Sequence, residues 1–182
     1  EKDEDCVVIG LGAMGLAAVA VAVALGCRVV GVGVGEENRR MARELGCHEI
    51  VDVPERNFPI RDAVHELLPD GPSVVYESTC SDWGIAQSFA VCGYGGRVAL
   101  LGGGEVPVDG WALIERELTV VGVRAAPNKD KSLQLLAQGS VDLKPTIARR
   151  ITLEELPEVF DGWINRTPDR VRGRVMVDVA NG

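Results

Sequence analysis

The chain has 182 residues, a formal net charge of -8 and a sequence pI near 4.8. This acidic balance argues against a nucleic-acid-binding surface, and the length is sufficient to bury a sizeable core. The five cysteines are widely spaced, mostly within apolar runs, and no pair has zinc-finger spacing. This pattern is typical of reduced thiols in a cytoplasmic protein.

The chain begins with an acidic segment, residues 1–5, which lacks the basic region of a signal peptide. An apolar strand is predicted over residues 6–9, and an alanine- and valine-rich helix over residues 14–25. That helix is too short to cross a bilayer. We therefore expect a cytoplasmic protein with no membrane partner.

A glycine-rich turn with the pattern G-x-G-x-x-G joins this strand to this helix. Gly10 allows a tight turn, Gly12 lets the backbone approach a pyrophosphate, and Gly15 lets the helix pack closely on a sheet. The helix N-terminus adds unpaired N–H groups and a positive dipole end. The order of strand, turn and helix predicts a dinucleotide site, although a turn without a ligand is the alternative. The predicted contacts are Gly10, Gly12, Ala13, Met14 and Gly15.

Beyond this turn, short β-branched runs alternate with helical patterns. Strands are predicted over residues 28–32, 49–53, 73–77, 97–101 and 118–123, and helices over residues 36–45, 60–68 and 83–91. Such alternation predicts an α/β fold with a doubly wound parallel sheet, the Rossmann fold. Ligands bind such sheets at the carboxyl ends of the strands. We therefore expect two further loops to line the site, namely Ser78-Thr79-Cys80 and Gly102-Gly103-Gly104.

The end of the second strand indicates which dinucleotide is bound, because NAD sites place an acid about 20 residues beyond the glycine turn. Gly33 occupies that region, and a small residue there leaves room for a 2′-phosphate, with Arg39 and Arg40 one helical turn on. This favours NADP. Glu36 and Glu37 are an argument for NAD, since they would repel a phosphate and one could replace the missing acid. Equally, both glutamates could simply stabilise the positive N-terminal end of the helix dipole, with both arginines solvated.

Several segments together resemble the coenzyme-binding half of medium-chain dehydrogenases and reductases, the zinc-type alcohol and polyol dehydrogenase family. The resemblance lies in residues 5–15, 41–47, 75–79, 95–98 and 116–122, and continues in the tail through residues 135–145 and 152–160. It implies a dinucleotide-binding domain over residues 1–124, followed by a helix-helix-strand tail over residues 125–182. In the family this tail returns to the catalytic lobe, so we expect it to expose apolar surface here.

The resemblance also implies that cofactor binding and catalysis are carried by different lobes. The family's catalytic zinc ligands and proton relay lie in a separate lobe, and the two histidines here, His48 and His65, do not replace them, so we expect neither zinc nor a catalytic residue within the chain. The edge strand implies a homodimer. The nicotinamide is expected near Leu101, Gly102, Gly103, Val123 and Arg124, although Arg124 could instead face solvent.

Two functions remain open from the sequence. The resemblance implies an NAD(P)-dependent oxidoreductase that holds the nicotinamide for hydride transfer to or from a small alcohol, polyol or carbonyl compound. The alternative is a non-catalytic dinucleotide-binding or sensing module. A fold that binds S-adenosylmethionine also uses a glycine-rich first loop, but the turn at Gly95-Gly96-Arg97 and the tail fit the dehydrogenase better.

Overall fold

The computed structural model describes residues 2–54, 58–102, 110–124, 129–167, 170–171 and 173–179. Strands and helices alternate along the chain. The strands are β1 (Asp5–Ile9), β2 (Arg28–Gly33), β3 (Glu49–Asp52), β4 (Val74–Glu77), β5 (Arg97–Leu100), β6 (Thr119–Gly122), β7 (Ile147–Thr152) and β8 (Arg174–Asp178). The α-helices are α1 (Ala13–Ala24), α2 (Glu36–Glu44), α3 (Arg61–Leu67), α4 (Asp82–Val91), α5 (Gly110–Arg116), α6 (Lys129–Ala137) and α7 (Leu156–Ile164).

The first six strands form one parallel sheet in the order β3-β2-β1-β4-β5-β6. The chain starts at β1, winds outward to β3, and then crosses to β4 on the other side of β1. The order therefore reverses between β1 and β4, and the crevice at this point is where such sheets bind ligands. This confirms the predicted doubly wound α/β fold.

Alternation along the strands gives the sheet two apolar faces. Val7, Ile9 and Val75 belong to a core covered by α3, α4 and α5, whereas Cys6 and Val8 belong to a core covered by α1 and α2. Strands buried on both faces explain the continuous apolar runs in the sequence.

The region after β5 contains two elements that the sequence did not predict. Helix α5 has seven described residues, and these include Gly110, a residue that disfavours helix. Strand β7 adds a strand to the predicted helix-helix-strand tail and pairs in parallel with β8. Arg149 and Arg150 stand in the middle of β7 and interrupt the apolar alternation that marks a strand.

A short 3-10 helix in the tail, Lys144–Thr146, packs against α1 and α2, the helices that cover one face of the main sheet. Ala148 of β7 packs against the core on the same side. Much of the remaining tail is open: Leu133, Ile164 and Val179 have 63%, 74% and 72% of their surfaces exposed. No helix within the described residues is both long and apolar enough to cross a membrane.

Candidate cofactor-binding site

The glycine turn lies at the carboxyl end of β1, and its first residue has to be glycine. Gly10 has φ +94°, and its N–H donates to the carbonyl oxygen of Val32 at 2.8 Å. A Cβ at Gly10 would lie 2.8 Å from Ser78 Oγ and 2.8 Å from Thr79 Cγ2. Any other residue would therefore push the loop after β4 away from the turn.

The other two glycines of the turn differ in what surrounds them. A Cβ at Gly15 would lie 1.7 Å from the Gly10 carbonyl oxygen, so glycine is needed for α1 to approach the turn. Gly12 has nothing within 4 Å of the same position and is exposed. It is the N-cap of α1, and no side chain caps the helix there. Because Ala13 and Met14 follow at this uncapped end, their N–H groups are available to an anion above Gly12.

Ser78 fastens the loop after β4 to the glycine turn. Its Oγ lies 3.1 Å from the Ile9 carbonyl oxygen and 2.8 Å from that of Gly10, and donates towards them. The structure thus brings Ser78 to Gly10, as the predicted site requires. Thr79, the next predicted residue, faces the glycine turn with its Cγ2 and a buried carboxylate with its hydroxyl.

That carboxylate is Glu77, the last residue of β4, which the sequence analysis did not single out. Glu77 is fully buried, and its Oε1 accepts from the Thr79 N–H at 2.7 Å and from the Thr79 hydroxyl. Its Oε2 is buried and has no hydrogen-bond partner among the described residues. A signal was present in the sequence, because a carboxylate ends the otherwise apolar run of β4.

The first two residues after β5, Leu101 and Gly102, meet the loop after β4. Leu101 donates its N–H to the Glu77 carbonyl oxygen at 2.9 Å. A Cβ at Gly102 would lie 1.8 Å from the sulfur of Cys80, a residue that has φ +54°. Leu101 and Gly102 therefore lie beside Glu77 and Cys80, the residues on either side of Ser78 and Thr79 in the chain. Gly103 lies outside the described residues.

Val123 and Arg124 follow the edge strand β6, separated from β1 by β4 and β5. Val123 donates its N–H to the Leu100 carbonyl oxygen at 2.9 Å, which continues the ladder, and both residues are exposed. They stand at the same carboxyl edge as the glycine turn, at the far side of the crevice.

The end of β2 is more crowded than the sequence suggested. Gly33 is buried, and a Cβ there would lie 2.8 Å from Cγ of Leu11. Leu11 therefore fills the space beside Gly33, and the predicted room for a 2′-phosphate is not present on that side of Gly33. Asp52 ends β3 and is the register partner of Gly33.

Both predicted arginines are in ion pairs. The Arg39 guanidinium lies 2.8 Å from a carboxylate oxygen of Glu36 and also pairs with Asp52. The hydrogen bond from Arg39 is the largest cause that lowers the pKa of Glu36 below its ordinary value. Arg40 pairs with Glu37 and Glu44 in the same way. A phosphate would therefore share these arginines with carboxylates.

The two histidines have structural partners. His48 Nδ1 accepts the Val29 N–H at 3.1 Å, and His65 Nε2 lies 3.1 Å from the Val91 carbonyl oxygen. Across the described ranges, no three His, Cys, Asp or Glu side chains come together to form a metal site.

Comparison with known proteins agrees with the architecture. A family model described as zinc-binding dehydrogenase matches residues 13–138. The L-threonine 3-dehydrogenase of Deinococcus radiodurans is 31% identical over 174 residues, which is 92% of this chain and 50% of that protein. The enzyme of the same name from Deinococcus deserti is 30% identical over the same shares. The chain therefore spans about half the length of the curated relatives it matches.

Solved structures show the same fold. A zinc-binding dehydrogenase structure from Sinorhizobium meliloti, bound to NADP, has a TM-score of 0.82 and 28% identity and covers 98% of this chain and 53% of its own. An alcohol dehydrogenase from Escherichia coli, complexed with NADH, has a TM-score of 0.85 over 98% of this chain and 53% of its own, but at 16% identity it shows the fold alone. The glycine turn, the strand order and the matched family model lead to one conclusion: the chain belongs to the zinc-binding dehydrogenase family and corresponds to its coenzyme-binding half.

Proposed function

We propose that this chain binds a nicotinamide dinucleotide across the carboxyl edge of its sheet and holds the nicotinamide for hydride transfer. The observation that carries the proposal is the uncapped N-terminus of α1, with open space over Gly12. Amide N–H groups and a positive helix end are the partners that a pyrophosphate prefers. The Sinorhizobium meliloti relative is bound to NADP, which supports the same ligand here.

The residues around the turn fit such a ligand. Gly12, Ala13 and Met14 would bind the pyrophosphate, while Gly10 and Gly15 hold the turn against the sheet. The loops that contain Ser78, Thr79, Leu101, Gly102 and Gly103 would position the nicotinamide ring, and Val123 and Arg124 would bound it on the far side. The bound dinucleotide supplies the carbon that donates or accepts hydride, so this half contributes position and orientation rather than an acid or base.

We propose NADP as the preferred ligand over NAD, by a small margin. The end of β2 carries no acid at Gly33, and Arg39 lies one helical turn further along the chain. The margin is small because the phosphate would share Arg39 with Glu36 and Asp52. The same carboxylates would accept hydrogen bonds from the ribose hydroxyls of NAD.

For the whole protein we propose the oxidation of a small alcohol or the reduction of the corresponding carbonyl compound. Relatives named L-threonine 3-dehydrogenase support an alcohol as substrate. In this proposal residues 1–124 form the dinucleotide-binding domain, residues 125–182 return to a catalytic lobe, and zinc belongs to that lobe. Family membership favours this activity over a non-catalytic sensing module.

We also propose a homodimer formed through β6. This strand is the last in the sheet order, and all four of its residues are exposed. An open, weakly charged edge strand is a template for pairing with a second copy. Free thiols at all five cysteines, four of them buried, support the cytoplasmic location that we propose.

Calorimetric titration of the chain with NADPH and separately with NADH tests the proposed site. Gly12→Asp places a carboxylate where the pyrophosphate must lie, with room for its Cβ, so we expect it to abolish binding without loss of thermal stability. Gln134→Asp on the exposed surface of α6 adds the same charge elsewhere and should bind like the wild-type chain. Equal binding by wild type and Gly12→Asp would refute the site.

A further inference from the structure

We propose that Glu77 is a positioning residue that holds the loops after β4 and β5 in the arrangement needed by the nicotinamide half of the dinucleotide. This inference rests on the proposed function and concerns the same site. Glu77 is fully buried, and its Oε2 has no hydrogen-bond partner within the described chain. Because burying a carboxylate is costly, its retention needs a reason beyond packing.

The geometry shows what Glu77 does with its other oxygen. Oε1 accepts both the backbone N–H and the hydroxyl of Thr79, two residues ahead. The Thr79 hydroxyl lies 2.7 Å from Ser81 Oγ, which in turn accepts the N–H of Gly84 at 3.1 Å as the N-cap of α4. Glu77 Oε1 is therefore the first acceptor in a chain of hydrogen bonds that joins the end of β4 to the start of α4.

The space around this network leaves little freedom. A Cβ at Gly84 would lie 2.1 Å from the Thr79 hydroxyl oxygen and 2.5 Å from Glu77 Oε1. Helix α4 thus approaches the network closely enough that only glycine fits. Thr79 is fixed from one side by Glu77 and from the other by α4.

The constraint extends to the second loop through Cys80. With Thr79 fixed, Cys80 follows at φ +54°, a backbone conformation that L side chains rarely adopt. Its sulfur then occupies the space beside Gly102, where a side chain would otherwise stand. Because Oε2 has no accessible surface, Glu77 cannot touch a ligand itself, and its influence must act through Thr79, Cys80 and Gly102.

The position of these loops predicts which part of the ligand responds. The loops after β4 and β5 lie on the nicotinamide side of the glycine turn, whereas the adenosine side lies at the end of β2. NADH spans both sides, and 5′-AMP reaches only the adenosine side and the turn. A defect in the loops should therefore weaken binding of NADH and spare binding of 5′-AMP.

Titration of Glu77→Leu, Glu77→Gln and wild type with both ligands tests this. We expect Glu77→Leu to weaken NADH binding about tenfold, the effect of losing one or two hydrogen bonds, with unchanged 5′-AMP binding. Glu77→Gln keeps an acceptor oxygen for Thr79 and should recover most of the NADH affinity. Val75→Ala, on the same strand and face, removes buried surface without touching the loops and should lower the melting temperature alone.

The outcomes separate the possible failures. If wild type binds neither NADH nor NADPH, the proposed function fails and this inference falls with it. If the wild type binds NADH but Glu77→Leu retains full NADH affinity, the positioning role is overturned and the proposed function stands. The same conclusion follows if Glu77→Leu weakens binding of NADH and 5′-AMP equally. Should Glu77→Leu fail to fold, Thr79→Val removes only the hydroxyl. Thr79→Val should weaken NADH binding severalfold and leave 5′-AMP binding unchanged. An unchanged NADH affinity would overturn the inference.

Discussion

Leu11 covers Gly33: a Cβ at Gly33 would lie 2.8 Å from Cγ of Leu11. The second residue of the glycine turn therefore closes off the end of β2, the position at which NAD sites carry their acid. In this chain, the turn that would hold the pyrophosphate also restricts which side chain can follow β2.

Gly33→Asp is therefore expected to destabilise the chain rather than to convert it to NAD. Forcing a side chain against Leu11 should cost about 1–3 kcal/mol of unfolding free energy. Combining it with Leu11→Ala removes the clash, and the double variant should then bind NADH more tightly relative to NADPH than the wild type does. Urea unfolding and calorimetric titration measure the two effects. If Gly33→Asp is as stable as the wild type, the end of β2 has room for a side chain beside Leu11.

Substitutions at Arg39 and Arg40 form a matched pair that tests the proposed preference for NADP. Both arginines lie on α2 and both pair with two carboxylates, but one of the two partners of Arg39 is Asp52, the register partner of Gly33, whereas both partners of Arg40 lie on α2. Arg39→Gln should weaken NADPH binding about tenfold and leave NADH binding unchanged, because a charge-assisted hydrogen bond to phosphate is lost. Arg40→Gln should change neither. Equal effects of the two variants on NADPH would assign the result to net charge and not to a phosphate site.

The edge strand β6 permits a sharp test of the dimer. The N–H groups of Thr119 and Val123 donate to carbonyl oxygens of Gly96 and Leu100. In a parallel ladder the groups alternate, so the N–H of Val120 points away from β5. Val120→Pro should therefore abolish pairing with a second copy but leave the sheet intact, and sedimentation velocity should show a monomer.

Val121→Pro is the control, because its N–H points towards β5 and its loss should lower the melting temperature. A wild-type chain that sediments as a monomer at all concentrations would contradict the proposed dimer.

The buried thiols predict a loss of stability at alkaline pH. Burial raises the pKa of Cys6 to about 12 and those of Cys47 and Cys92 to about 11, from an ordinary value of 9.0. Above pH 9 the unfolded chain releases these protons and the folded chain keeps them. The thiol contribution is thus complete below pH 9 and declines above it, up to about pH 11 for Cys47 and Cys92 and about pH 12 for Cys6, by up to about 1.4 kcal/mol per pH unit for each thiol.

Urea unfolding at pH 8, 9 and 10 under reducing conditions measures this decline. Cys92→Ala removes one of these three buried thiols and should make the unfolding free energy less dependent on pH, even though the variant is less stable than the wild type at pH 8. An unfolding free energy that stays constant from pH 8 to pH 10 would show that these thiols ionise as readily in the folded chain as in the unfolded one.

The sequence was sufficient for the features that depend on local patterns. The turn at Gly10 and the alternation of strands with helices predicted the parallel sheet, because glycine positions and apolar runs report backbone geometry directly. Helix α5 and strand β7 were missed because a helix-disfavouring residue and two arginines weaken those patterns.

The finer features of the site depend on distant pairs. Asp52 reaches Arg39 only because β3 pairs with β2, and no spacing rule connects two residues thirteen positions apart. The same is true of Leu11 and Gly33. Glu77 is different, since a lone carboxylate at the end of an apolar strand was visible in the sequence and signals a buried polar role.

Ser78 bonds to the carbonyl of Gly10 across 68 positions of the chain. The glycine turn is a local motif, but its anchor becomes available only after β4 has crossed over and paired with β1. The geometry of the turn therefore depends on cooperative assembly of both halves of the sheet. A dinucleotide that binds this turn would stabilise the entire sheet against unfolding, so its affinity would also report how completely the sheet has folded.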